Sequence, residues 1–299
     1  MERRISRRDF FGVAGMAGLV FSQRLADQQK GAVAPLSVAQ RLRVAHLTDF
    51  HWGYRGEWNR DVSGTALEAL ERVKRLAPPA DLVVVTGDLI HATASAGERK
   101  DRLQTVRQLL DSLNLPWMAV PGEHDTFGDG GAAFASTIGP LRFRRKFHGV
   151  TVFGLDNVSR GPFLGFDQIR WLQAQSAQLD ASAPALVLSH APLFDLFEPW
   201  NWCTFDGRQA YSLLPQARFL FGHIHQALEH KRGRAINDAG MPTSWPLPEP
   251  GPLVRLQPWP QGGTHPAMGL GFSVLDISPG TMRLARVPLD QARDKEAHS

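Results

Sequence analysis

Cysteine is almost absent from this chain: the 299 residues hold only Cys203, so no intramolecular disulfide can form. Cys203 lies between Trp202 and Thr204 with no activating neighbour, which reads as a small buried hydrophobe and not a nucleophile. Long apolar runs are missing as well. The best candidate, Phe10 to Phe21, carries three glycines and falls short of the about 20 residues that span a bilayer. Charge of one sign is also scarce. The formal charge is +4, but residues 1–30 hold six basic and three acidic residues, which leaves 27 against 26 in the remainder, so a nucleic-acid partner is not expected. Three motifs that would announce a hydrolase are missing too: Gly-x-Ser-x-Gly, His-Glu-x-x-His and His-x-His-x-Asp-His.

What is present is a chain able to fold. Apolar residues make up 43% and charged residues 21%, far from the composition of a disordered chain. From residue 42 short apolar runs alternate with helical patterns, the mark of an α/β fold. Strands are expected at 42–48, 82–86, 117–120, 150–155, 185–188 and 219–221. Helical spacing links Leu67, Leu70 and Val73 before Pro78-Pro79, then Leu103, Val106, Leu109, Leu110 and Leu113 before Pro116, and then Ile169, Leu172 and Leu179. The alternation from Leu141 to Phe147 reads as a strand whose Arg and Lys form a solvated face. A Pro-, Gly- and Trp-rich loop is expected from about 226 to about 270, followed by strands at 271–277 and 281–287 and a polar tail from 291 to 299.

The chemistry sits just after the strands. Asp49-Phe50-His51 follows the first, Gly87-Asp88 the second, Gly122-Glu123-His124-Asp125 the third, Ser189-His190 the fifth and Gly222-His223-Ile224-His225 the sixth. Sites form at the carboxyl ends of strands, where loops vary while the strands fix position. Asp49, His51, Asp88, Glu123, His190, His223 and His225 are seven candidate ligands, too many for one ordinary ion. Two ions sharing a carboxylate would use them all, and such a pair suits phosphate ester hydrolysis.

In this order the motifs resemble the calcineurin-like metallophosphoesterase superfamily, from residue 49 to 225, with one departure. The resemblance implies an α/β fold: a four-layer α/β/β/α sandwich of two mixed β-sheets flanked by helices, spanning 39–290. It implies that Asp49, His51, Asp88 and His225 hold a first ion, often iron, and that Asp88 bridges to a second held by His190, His223 and the residue at 123. The second ion would be manganese, zinc or another iron. His124 would be catalytic, stabilising the phosphoryl transition state or protonating the leaving alkoxide, with a metal-bridging hydroxide as nucleophile. The partner would be a small-molecule phosphate monoester or diester.

The departure is Glu123, where the family usually has Asn. A third carboxylate plus hydroxide formally cancels two divalent charges, so the site is expected to keep Glu123 as a ligand and to favour at least one iron or manganese. The alternative is a non-catalytic, regulatory metal-binding module on the same fold. His91 and Ala92 replace the Asp and Arg that phosphoprotein phosphatases of the superfamily carry, which argues against that branch; His91 reads either as a residue that supports the ligands or as an ordinary loop histidine, the second reading being slightly preferred. Phe194, Phe197, Trp200, Trp202, Phe205 and Tyr211 follow His190, while Trp245, Trp259 and Thr264-His265-Pro266 fall in the later loop. Both sets are candidates for a pocket wall.

The basic residues 3–8 and the mild core that follows, with Ser6-Arg7-Arg8-Asp9-Phe10-Phe11, resemble a twin-arginine export signal. Residues 1–38 are accordingly expected to be signal and linker, handled by the twin-arginine machinery. The protein is then expected to be periplasmic or extracellular, touching a membrane only through an uncleaved signal. Substrates of that route are exported folded, commonly with cofactors inserted.

Overall fold

The structure is a computed structural model that describes residues 41–180, 183–248 and 267–290. The expected signal and linker, the polar tail, Trp259 and Thr264-His265-Pro266 lie outside the described residues. In chain order the first elements are β1 (Leu42–Leu47), α1 (Val62–Lys74), β2 (Leu82–Thr86), α2 (Ala96–Asp111), β3 (Trp117–Val120), α3 (Glu123–Thr126) and α4 (Ala132–Thr137). Then come β4 (Phe143–Phe147), β5 (Val150–Gly154), α5 (Phe166–Ser176), β6 (Ala185–Leu188), α6 (Arg208–Leu213), β7 (Arg218–Phe221), β8 (Leu228–Arg232), β9 (Ala235–Ala239), β10 (Gly271–Ser278) and β11 (Thr281–Pro288).

The strands form two mixed sheets. One runs β11-β10-β1-β2-β3, with β1, β2 and β3 parallel; the other runs β4-β5-β6-β7-β9-β8, with β5, β6, β7 and β9 parallel. The period-2 pattern of β1 and β2 explains the layering. Leu42, Val44, Leu82 and Val84 point inward and meet Val150, Val152, Leu186, Leu188 and Leu220 of the other sheet. Ala45, Leu47, Val83 and Val85 point outward and pack under Leu70 and Val73 of α1 and Leu103, Val106 and Leu110 of α2. On the far side Phe153, Val187, Phe219 and Phe221 are covered by Leu172 of α5 and Ala210 and Tyr211 of α6. Both faces of the central strands are buried, giving helix, sheet, sheet and helix layers, with each fully buried Val, Leu or Phe side chain contributing about 1.5–3 kcal/mol.

Local signals set the helix ends. Asp61 caps α1 by accepting from the Gly64 N–H at 2.8 Å, and Ser95 caps α2 by accepting from the Glu98 N–H at 3.2 Å. The expected loop beginning at 226 is corrected: it holds the hairpin of β8 and β9, joined at Gly233-Arg234. Strand periodicity is hidden there for two reasons. The edge strand β8 is mostly exposed and carries Glu229, Lys231 and Arg232. The inner strand β9 buries polar residues that find partners: Asn237 accepts from the Tyr211 hydroxyl at 2.6 Å, and Asp238 pairs with Arg218 at 2.6 Å.

Candidate metal centre

The carboxyl ends of β1, β2 and β3 in one sheet and of β6 and β7 in the other converge on one place. All eight residues expected there are brought together. Asp49, His51, Asp88, His190 and His225 are buried, while Glu123, His124 and His223 are partly exposed. The backbone turns sharply at the ligand positions themselves. Asp49, His51, Asp88, His223 and His225 have φ of 54°, 47°, 50°, 67° and 50°, five of the eight non-glycine residues with positive φ among the described residues. Each such residue costs about 1–2 kcal/mol, and strain of this kind gathers at functional sites. Hydrogen bonds between loops hold it: Asp49 N–H donates to Gly87 O at 3.1 Å, His51 N–H to Asp88 O at 2.9 Å, and His223 N–H to the Asp49 carboxylate at 3.2 Å. Gly122 and Gly222 are required, because a Cβ on the first would collide with Asp88 and on the second with Thr48 and Asp49.

Asp88 stands between two donor groups. On one side are Asp49, His51 and His225, with His51 Nε2 3.4 Å from Asp88 Oδ2 and His225 Nε2 3.4 Å from Asp49 Oδ1. On the other are Glu123, His190 and His223, with His190 Nε2 3.5 Å from Asp88 Oδ2. Within each group the donor atoms lie within 4.8 Å of one another. Glu123 points into its group, with Oε2 2.7 Å from His190 Nε2 and Oε1 3.0 Å from His223 Nδ1.

The hydrogen-bond pattern tests whether cations fit. His190 Nδ1 faces Thr86 O at 2.6 Å, His225 Nδ1 faces Trp245 O at 2.6 Å, and His223 Nε2 faces Asn201 O at 3.1 Å. A carbonyl only accepts, so each ring must donate there, and its other nitrogen in the neutral form is a bare lone pair. Those lone pairs face other electron-rich atoms: His225 Nε2 lies 3.1 Å from His51 Nε2, and the buried His190 Nε2 faces Glu123 Oε2 at 2.7 Å. Lone pairs aimed at lone pairs and carboxylates need cations between them, and ligating histidines characteristically donate their other N–H to a carbonyl. The residues fit metal ions.

Without metal, protons take the places that cations would fill. Burial disfavours the imidazolium of His190, yet Asp88 and Glu123 outweigh it and hold its pKa well above 6.5. Burial likewise opposes the charge on His223, and Glu123 outweighs it, so this pKa also rises. Desolvation pushes the Glu123 carboxyl up, but His223 and His190 bring it well below 4.5. Burial, with His124, His225 and His91 nearby, keeps His51 neutral, far below 6.5.

His91 is corrected from loop histidine to member of the site. Its Nδ1 lies 3.3 Å from His51 Nδ1, its ring centre is 4.7 Å from that of His124, and burial and the neighbouring His124 lower its pKa to about 4. The loop after β2 turns back over the strand end, which spacing alone does not show. The aromatic stretch after His190, readable as pocket wall or as packing that fixes the loop, is in large part the latter: Phe194, Trp202 and Tyr211 are buried core, with Phe197 and Trp200 packed against it, while Phe205 is exposed. Cys203 is buried as expected.

Two positioning residues escaped the sequence reading. Asp125 accepts backbone N–H groups of Gly122, Leu89 and Ile90 at 2.8, 3.2 and 3.0 Å, tying the loops after β2 and β3 together. Burial and the neighbouring Asp88 raise its pKa to about 8. Asn157 accepts from the His190 N–H at 3.1 Å and donates to Ala191 O at 2.9 Å and Thr204 Oγ1 at 2.8 Å. Its place just after β5, a parallel strand end with no ligand candidate, was the available signal.

A family model described as calcineurin-like phosphoesterase matches residues 42–227. Among curated proteins, a 3′,5′-cyclic-nucleotide phosphodiesterase of Nostoc sp. is 26% identical over 209 residues, 64% of this chain and 74% of that protein. The serine/threonine-protein phosphatase CPPED1 of Mus musculus is 29% identical over 152 residues, 46% of this chain and 48% of its own length. Among solved structures, a dimetal phosphatase from Danio rerio superposes with a TM-score of 0.61 at 14% identity, covering 83% of this chain and 96% of that one, which shows a shared fold.

Proposed function

The chain belongs to the calcineurin-like phosphoesterase family, and from that premise we propose that it is a dinuclear hydrolase of small phosphate monoesters or diesters. The observation that carries this reading is Asp88, a buried carboxylate within 3.5 Å of a histidine from each donor group. Asp49, His51, His225 and Asp88 would hold one ion, and Glu123, His190, His223 and Asp88 the other. Two cations there would supply Lewis acidity toward the phosphoryl oxygens and lower the pKa of water for attack.

The chain's own groups would do the rest. Ala92 N–H donates to His124 Nδ1 at 3.0 Å, so His124 carries its proton on Nε2, the nitrogen that lies 4.0 Å from Asp88 Oδ2. His124 N–H also donates to Asp88 Oδ1 at 2.9 Å, which keeps the ring beside the donor groups. Of the two roles expected for it, this geometry favours a hydrogen-bond donor to a phosphoryl oxygen as charge develops. Glu123 adds a third carboxylate, and we assign the site at least one iron or manganese.

The contacts of Glu123 with both histidines weigh against a degraded, non-catalytic module. Hydrolysis of aryl phosphate monoesters and diesters by metal-loaded protein, with metal quantified, tests the reading. Turnover with two ions per chain is expected. One ion per chain would remove the dinuclear form, and undiminished turnover in Asp88→Ala would refute the mechanism. In place of that, Asp88→Ala should lose at least about 100-fold in kcat, the scale for removing one charge-stabilising group. We propose further that residues 1–38 direct export by the twin-arginine route to the periplasm or beyond; no helix of the described residues is long and apolar enough to cross a membrane.

A further inference from the structure

A row of rings leads away from the candidate metal centre. The Trp245 ring stacks on His51 with centres 4.5 Å apart and planes 29° apart, Tyr54 lies 4.5 Å from Trp245, and Trp58 lies 5.1 Å from Trp245 and 5.8 Å from Tyr54, at 20° to the latter. A second path returns from Tyr54 to His91 at 5.0 Å and from His91 to His124 at 4.7 Å. The row therefore starts beside a candidate ligand and beside the candidate catalytic histidine, and it ends at Trp58.

Its members differ in what the fold asks of them. Trp245 is 3% exposed and belongs to the core, and Tyr54 packs against that core. Trp58 is 43% exposed and reaches the core only through its ring contacts with Trp245 and Tyr54, yet it is held. The side chain of its neighbour Asn59 donates to Ser244 O at 2.6 Å and Thr65 Oγ1 at 3.0 Å, and accepts from the Asp61 N–H at 2.8 Å. A half-open indole, held a few ring-widths from the reacting groups, is a surface prepared for another ring.

We propose that Trp58 and Tyr54, backed by Trp245, form a stacking platform for a planar group, a nucleobase or an aryl ring, carried by the phosphate ester. This rests on the phosphoesterase reading and names the substrate class. Phosphate at the donor groups would leave the organic part to extend along the row. Planar stacking tolerates different rings, because every aromatic ring has a π-face, so the platform selects for flatness and not for one base.

Calorimetric titration of metal-loaded wild type, Trp58→Ala and Trp58→Phe with the non-hydrolysable phosphonate analogues of adenosine 5′-monophosphate and ribose 5-phosphate, and with inorganic phosphate, tests this. Trp58→Ala should weaken the nucleotide analogue about 5- to 150-fold, the measured range for one stacked base. It should leave the ribose 5-phosphate analogue and inorganic phosphate within about twofold, and Trp58→Phe should recover most of the loss. Since Trp58 lies outside the cores, the variants should fold, and an unchanged Tm confirms it. An equal loss for all three ligands, no loss for any, or a wild type that binds the nucleotide analogue no better than the ribose 5-phosphate analogue overturns the platform. Failure of the phosphoesterase reading shows separately, as no turnover of any ester by metal-loaded wild type.

Discussion

Binding of cations to this site must expel protons, and the donor geometry sets how many. His190 and His223 each commit one nitrogen to a carbonyl and aim the other at Glu123, 2.7 and 3.0 Å away. Without metal both pKa values lie above 6.5, since the carboxylates of Asp88 and Glu123 outweigh burial. His51 is already neutral and Glu123 already ionised near neutrality, so neither exchanges a proton. A cation needs both lone pairs, so loading releases about two protons and log K rises with pH at a slope of about 2. Affinity should thus rise about 100-fold from about pH 5 to about pH 6, the slope fading once pH passes the two raised values. The sign for stability follows. Raised histidine pKa values stabilise the metal-free protein below 6.5, and that contribution is lost as pH climbs through the folded values; the depressed pKa of Glu123 contributes above 4.5 and is lost as pH falls. Competition with a chelator at stepped pH gives the slope, and calorimetry in buffers of differing ionisation enthalpy counts the protons. His223→Asn should lower the slope to about 1. A wild-type slope below about 0.5, or heat independent of buffer, would refute the assignment of bare lone pairs.

Arg218 and Asp238 form a buried bidentate pair at 2.6 and 3.1 Å, and Arg218 also donates to Met282 O of β11 at 2.9 Å, joining the two sheets. Arg218→Ala strands the Asp238 carboxylate and should cost about 3–5 kcal/mol in urea unfolding, whereas a loss under about 1 kcal/mol would mean that water reaches the pair. Replacing Arg7-Arg8 with Lys-Lys should keep the protein in the cytoplasm on cell fractionation, and unchanged export of that variant would count against the twin-arginine reading.

Legibility of this chain in its sequence follows physical lines. The sheets were readable wherever strands bury both faces, as in Leu82–Thr86 and Ala185–Leu188, whose apolar runs sit between turn signals. They were unreadable at β8 and β9, where solvent exposure and buried polar pairs replace the apolar pattern. Ligand candidates were readable because each follows its strand directly. Trp245 was readable as a pocket-wall candidate, but its meeting with His91, Tyr54 and Trp58 was not: these residues come together because loops from different strands fold over one another, contacts set by hydrogen bonds such as Asn59 to Ser244 O and His91 N–H to Trp52 O. The aromatic stretch after His190 misled for the opposite reason, because closeness in sequence to a ligand says nothing about which face of the sheet a side chain takes.

Left-handed backbone at five ligand positions has a consequence for how the site responds to change. The conformation is unfavourable for Asp and His by about 1–2 kcal/mol at each position, so no ligand holds its place alone. Four of the five are kept by a bond that another ligand's loop supplies: the Asp49 carboxylate receives the His223 N–H, Asp88 O receives the His51 N–H, and Asp88 Oδ1 receives the His124 N–H. Asp125 clamps the loops after β2 and β3, and His190 in turn donates to Thr86 O, the carbonyl that closes β2. A donor lost from one group therefore loosens the backbone that aims the other, and bound cations, pulling on both groups, would stabilise the strained form by mass action. Residues so connected do not act additively. The two donor groups are one mechanical unit with Asp88 at its centre, so the second of any two ligand substitutions should cost metal affinity less than it does alone.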